Sequence, residues 1–157
     1  MNMLNEGKVD AAIYYFKLAI QADPDYPYSH YNLGLAYLEE GREGEAIKEF
    51  KDAIRLKPDY VKAYATLGWV YYKQGAYDIA LNNLWEAISI DPDYEEGYYR
   101  LGEVYLAKGL YSVAARQYDE ALQIEPGYAE AQAGLDKVNK LIREARLADA
   151  RETMEEP

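Results

Sequence analysis

The sequence predicts an all-α fold, a superhelical solenoid of repeated helix–turn–helix units, and three observations predict it. Prolines stand at Pro24, Pro58, Pro92 and Pro126, each 34 residues after the last, in the settings ADPDY, LKPDY, IDPDY and IEPGY. Aligned on them, glycines recur at Gly7, Gly41, Gly75 and Gly109, and again at Gly34, Gly68 and Gly102. Alanines recur at Ala12, Ala46, Ala80 and Ala114, then at Ala19, Ala53, Ala87 and Ala121. A fixed period of this length marks stacked supersecondary units, none of which buries its apolar face alone.

Each unit reads as two helices. The first carries apolar residues at helical spacing, as in Tyr31, Leu33, Leu35, Tyr37 and Leu38. It stops near Gly41, which adopts a left-handed conformation at little cost. A second amphipathic helix follows, roughly Glu45 to Leu56, and Pro58 cannot continue it. Asp25, Asp59 and Asp93 follow their prolines and suit the N-cap of the next first helix. Gly34, Gly68 and Gly102 have a packing reason: a larger side chain there would overpack the contact between the two helices.

Bulk composition narrows the function. The 157 residues are half apolar, enough for a packed core, and the formal charge is −11. Nucleic acid is a poor partner for such a chain, because phosphate binding needs a basic footprint. With no cysteines, disulfides, thiolate metal sites and a cysteine nucleophile are excluded. The opening MNMLNEGKVD shows no signal peptide, so cytoplasmic is the default expectation, and no apolar run suggests membrane insertion.

The residues carrying the period also carry a family likeness. HYNLGLAY with Ala46, Phe50, Ala53 and Pro58 recurs as YATLGWVY with Ala80, Leu84, Ala87 and Pro92. It recurs again as YYRLGEVY with Ala114, Tyr118, Ala121 and Pro126. These segments resemble the tetratricopeptide repeat (TPR) family. The resemblance implies a partial repeat over 1–26, full repeats over 27–60, 61–94 and 95–128, and a solvating helix with a frayed tail over 129–157. In the partial repeat, a second helix from Val9 to Ala22 would expose Ile13, Phe16 and Ile20. That open face implies either preceding repeats, the favoured expectation, or cover by another chain. After Pro126 the glycine column falls on Arg143, so the last helix runs on.

Little chemistry is left over. His30, the sole histidine, fills a column where the family places a structural aromatic, and packing explains it better than catalysis. GREGEA, around Gly41 and Gly44, lacks the Gly-Lys-Ser/Thr ending of a phosphate loop. Acidic pairs such as Glu39–Glu40 read as solvated helix faces. The expectation is no catalytic residue, no cofactor and no metal. Of the 18 tyrosines most fall in repeat columns; Tyr14, Tyr15, Tyr28, Tyr31, Tyr72 and Tyr99 do not.

The resemblance also implies a binding surface, a concave groove lined by the first helices. Its offsets give Tyr28, Tyr31, Asn32, Leu35, Leu38 and Glu39, then Lys62, Ala65, Thr66, Trp69, Tyr72 and Lys73. The third repeat gives Glu96, Tyr99, Arg100, Glu103, Leu106 and Ala107, and the capping helix Glu130, Lys137 and Lys140. This set sums to +1 within a chain of −11, so a partner of mixed or acidic character can enter. The family's carboxylate clamp for chaperone tails is not intact. Started at the first full repeat, its frame holds Tyr31, Leu35, Thr66, Glu96 and Arg100, a single match. Started at the partial repeat, it gives Asn32 and Lys62, with Thr66 in place of the arginine and two positions absent. The expected function is therefore a protein-interaction scaffold or adaptor holding a partner protein or peptide in the groove. The alternatives are self-association through the open N-terminal face and a regulatory module of a larger enzyme or secretion component.

Overall fold

The computed structural model describes residues 3–155, and the surroundings of side chains from 7 to 148. Eight helices follow one another: α1 (Met3–Ala22), α2 (Pro27–Glu39), α3 (Glu43–Leu56), α4 (Val61–Lys73), α5 (Tyr77–Ile90), α6 (Glu95–Ala107), α7 (Tyr111–Ile124) and α8 (Ala129–Glu155). No strand occurs among the described residues.

The most extensive packing joins α2 to α3, α4 to α5 and α6 to α7, and each pair meets the next through α3–α4 and α5–α6. Gly34, Gly68 and Gly102 sit at the closest approaches. A Cβ at Gly34 would lie 2.6 Å from the Phe50 ring, at Gly68 2.9 Å from Leu84, and at Gly102 2.5 Å from the Tyr118 ring. Phe50, Leu84 and Tyr118 occupy one column of the repeat and are fully buried. The glycine column makes room for the largest fully buried side chain of the facing helix.

The turns inside the hairpins share one design. Gly41, Gly75 and Gly109 have φ of +74° to +75°. Around Gly41, its own amide donates to the Leu38 carbonyl at 3.0 Å and the next amide, of Arg42, to Tyr37 at 2.8 Å. The same two bonds recur around Gly75 and Gly109. This is a Schellman cap, which satisfies carbonyls the helix end leaves open. Gly7, in register with these glycines, forms no turn: it lies within the continuous α1.

Two further expectations are corrected. Asp25, Asp59 and Asp93 are not N-caps; Tyr26, Tyr60 and Tyr94 hold those positions without a side-chain cap bond. The tyrosine ring is needed in the interface, as Tyr60 at 8% exposure illustrates, and this places the helix start one residue later. Asp59 serves the preceding turn instead, pairing with Lys57 at 2.7 Å, while the backbone amides of Asp25 and Asp93 donate to the Asp23 and Asp91 carboxylates. On α1, Ile13 is buried, and Phe16 and Ile20 are partly buried against the α2 core. The large apolar side chains that this helix exposes, among the described residues, are Tyr14, Tyr15 and Leu18.

At the other end α8 packs on α7 through Ala131 and Val138 and reaches Glu155. Residues 156–157 of the expected frayed tail lie outside the described residues.

Candidate functional site

The sense of the bend follows from which helices touch. Helix α4 reaches α6 and α6 reaches α8, whereas α3, α5 and α7 make no comparably extensive contact with one another. The first helices of successive repeats therefore crowd together on the inside, and the second helices splay outside. One inner face collects residues from α2, α4, α6 and α8.

At its centre three expected residues assemble. Trp69 and Tyr72 stack, with ring centroids 4.7 Å apart and planes at 24°. The Arg100 guanidinium lies over the Trp69 ring at 5.2 Å. Arg100 donates to the Ala65 carbonyl at 3.0 Å and pairs with Glu96 one turn earlier. Glu96 also accepts from the Tyr94 hydroxyl at 2.6 Å. Burial alone would raise the Glu96 carboxyl, but the Tyr94 hydrogen bond and the charge of Arg100 outweigh it and hold it below the usual range. Ala65 itself is buried, so of the expected groove residues it contributes only its carbonyl.

Toward the N-terminal end the tyrosines form a continuous edge. Tyr28 meets Tyr60 at 5.1 Å, Tyr60 meets Tyr31 at 5.0 Å, and the Tyr31 hydroxyl is 3.3 Å from the Thr66 hydroxyl. Burial and its tyrosine neighbours push Tyr60 up to about 12. Beyond, Asn32, Leu35, Leu38 and Glu39 line an open depression of about 470 Å³ shared with Ala12 and Phe16 of α1. Toward the C-terminal end Tyr99 packs between Tyr118 and Tyr128. Glu103 accepts the Tyr118 hydroxyl, and burial with this bond pushes the Tyr118 phenol well above its ordinary value. Lys62 and Lys73 stand exposed on the same helix as Trp69.

Tyr60, Tyr94 and Tyr128 shape this face as much as the residues expected there. Their column follows each proline and reads as packing in the sequence, and only the ring contacts reveal the second role. His30 is packed as expected, 8% exposed, with Nδ1 2.7 Å from Glu49 Oε2 and Nε2 3.1 Å from the Pro24 carbonyl.

Comparison with known proteins agrees with this architecture. A family model described as TPR repeat matches residues 4–41, 36–75 and 68–109, and one described as tetratricopeptide repeat matches 95–128. The chain belongs to the tetratricopeptide repeat family. TPR proteins are in general interaction modules rather than catalysts. A crystal structure of MamA is 25% identical, with 98% of each chain covered and a TM-score of 0.74. The first TPR of Spaghetti (RPAP3), solved with the HSP90 peptide SRMEEVD, is 21% identical over 77% of this chain and 96% of its own, with a TM-score of 0.73. The Arabidopsis OM64 TPR domain is 20% identical over 73% and 95%, at 0.71. No curated protein matches the chain in sequence. No helix among the described residues is long and apolar enough to cross a membrane.

Proposed function

We propose that this TPR chain is a non-catalytic adaptor that holds an extended or helical segment of a partner protein along its inner face. The observation that carries the reading is the cluster of Trp69, Tyr72 and Arg100, set centrally and flanked by exposed Lys62 and Lys73. Aromatic and arginine side chains held rigid by their neighbours lose little entropy on binding, which suits them as anchors. The two lysines favour acidic side chains on the partner. Tyr28, Tyr31, Asn32, Leu35, Thr66, Tyr99 and Glu103 extend the contact surface along the face. The chaperone-tail peptide of the RPAP3 structure is not the proposed ligand, because neither frame of the clamp is intact and Arg100, the single match in the frame of full repeats, is already held by Glu96 and the Ala65 carbonyl.

Affinity capture with wild type and Trp69→Ala/Tyr72→Ala, each checked for helicity, tests the reading. The double variant is expected to lose the partner. Retention at unchanged affinity would remove the inner face as the binding site.

A second reading rests on α1, where Tyr14 and Tyr15 are 59% and 66% exposed and Leu18 is 41% exposed. An aromatic patch of this kind suits self-association. Light scattering across a concentration series tests it, and a monomer at every concentration sinks it.

A further inference from the structure

His30, Glu49 and Asp52 form a group the groove does not use. Their ligand atoms all lie within 4.8 Å of one another at the α2–α3 interface. Glu49 and Asp52 stand three apart on α3, hence on one side of it. The His30 side chain is 10% exposed and that of Glu49 13%.

The His30 ring is turned so that both nitrogens face oxygen atoms. The Pro24 carbonyl can only accept, so Nε2 carries the proton of a neutral ring. Nδ1 then points its lone pair at the Glu49 carboxylate from 2.7 Å. Two acceptors at that distance need a proton or a cation between them. A backbone carbonyl that takes the far N–H of an imidazole is also one of the common outer partners of a metal-bound histidine.

The repeat supplies an internal comparison. One period on, the three columns hold Tyr64, Asn83 and Glu86, and two periods on, Tyr98, Gln117 and Glu120. The third column keeps its carboxylate throughout. The first two change together, and only in the first repeat, into a nitrogen ligand and a carboxylate.

We propose that His30 Nδ1, Glu49 and Asp52 bind a divalent transition-metal ion, with zinc the best match, at the α2–α3 interface. Zinc takes imidazole nitrogen and carboxylate oxygen ligands, and a site of three protein ligands leaves the fourth tetrahedral position to water. Ligands about 2.0 Å from a tetrahedral ion sit about 3.3 Å apart, so Nδ1 and Oε2 open slightly and Asp52 swings inward. Arg55, 3.3 Å from Asp52 and largely exposed, moves aside. The proton shared by Nδ1 and Oε2 goes to solvent as the ion enters. The site departs from the sequence-based expectation of no metal, because only the fold brings α2 and α3 together.

Calorimetric titration of the full chain with zinc tests the proposal. The control is His30→Tyr/Glu49→Asn, which installs the second repeat's own residues and so preserves packing. Wild type is expected to take up one zinc per chain with proton release, and the double variant to lose that site. Asp52→Asn is expected to weaken it about tenfold or more. The chain's single histidine gives an unambiguous NMR reporter, whose ring signals should shift on adding zinc. Zinc uptake unchanged in the double variant, or ring signals that follow pH but ignore zinc, would overturn the assignment.

Discussion

The guanidinium of Arg100 on α6 caps the Trp69 ring on α4 at 5.2 Å while donating to the Ala65 carbonyl one turn earlier on that helix, at 3.0 Å. One side chain thus fastens two neighbouring repeats and covers the aromatic stack between them. Arg100→Ala should cost about 1–3 kcal/mol, since a charged hydrogen bond and a buried carbonyl partner are lost together. It should also shift Trp69 emission, read cleanly in a Trp85→Phe background. Arg100→Lys keeps the charge but not the planar contact, and should recover only part of the loss.

Tyr118 is clamped from both sides by absent side chains. A Cβ at Gly102 would meet its ring at 2.5 Å and one at Gly134 at 2.6 Å. Gly102→Ala should therefore destabilise by about 1–3 kcal/mol in chemical denaturation. Adding Tyr118→Leu, the choice the second repeat makes at Leu84, should restore part of the loss. If it deepens the loss instead, the clash is not the cause.

Gly75 holds φ at +75° with open space around it, so a substitution there meets strain but no clash. Gly75→Ala should lower stability by about 1–2 kcal/mol. Gly44, in the first turn of α3 and equally uncrowded, has no positive φ. Gly44→Ala should be neutral or stabilising by up to about 1 kcal/mol. Thermal melts of the two variants separate backbone strain from packing.

Stability should fall at both ends of the pH range for different reasons. Glu96 is held below its ordinary 4.5, so its contribution is whole above that value and is lost as pH falls through its lower folded value. Glu96→Gln should flatten that part of the acid limb in urea titrations. Tyr60 is raised from 10.0 to about 12, so the fold favours its neutral form. That contribution is whole below 10 and disappears as pH rises toward 12. The Tyr60 share of tyrosinate absorbance, read as the difference between wild type and Tyr60→Phe, should therefore climb together with loss of helix signal, rather than before it.

Most of this architecture is legible in the sequence because a repeat prints the same contact several times. Gly34, Gly68 and Gly102 face Phe50, Leu84 and Tyr118 in every unit, and the Schellman glycines recur likewise. What the period does not print is whatever happens once. Gly134 lies outside the glycine columns, and its role appears only when Tyr118 is seen between two helices. The helix starts at Tyr26, Tyr60 and Tyr94 were hidden behind better capping residues one position earlier. At Tyr60 and Tyr94 ring burial outweighs a side-chain cap, whereas Tyr26 is half exposed and nothing in the structure explains its place. At Gly7 the column residue is present, yet the chain stays helical. The inner face was legible as a list of positions; which of them join, as Arg100 joins Trp69 and Tyr31 joins Thr66, depends on side chains 31 and 35 residues apart in sequence meeting across the bend.

The apolar residues gather in successive knots, one around Phe50, a small one of Ala53, Tyr60 and Ala63, one around Leu84 and Leu101, and one around Tyr118 and Val138. Such a molecule behaves as a short line of coupled springs, not as a single drop. Helix α1, whose extensive contact among the described residues is with α2, should exchange its amide hydrogens faster than the inner helices, with protection rising toward α4 and α5. A ligand lying across α2, α4 and α6 would tie those springs in parallel. Occupancy would then be visible far from the contact itself, as slower exchange at the outer helices.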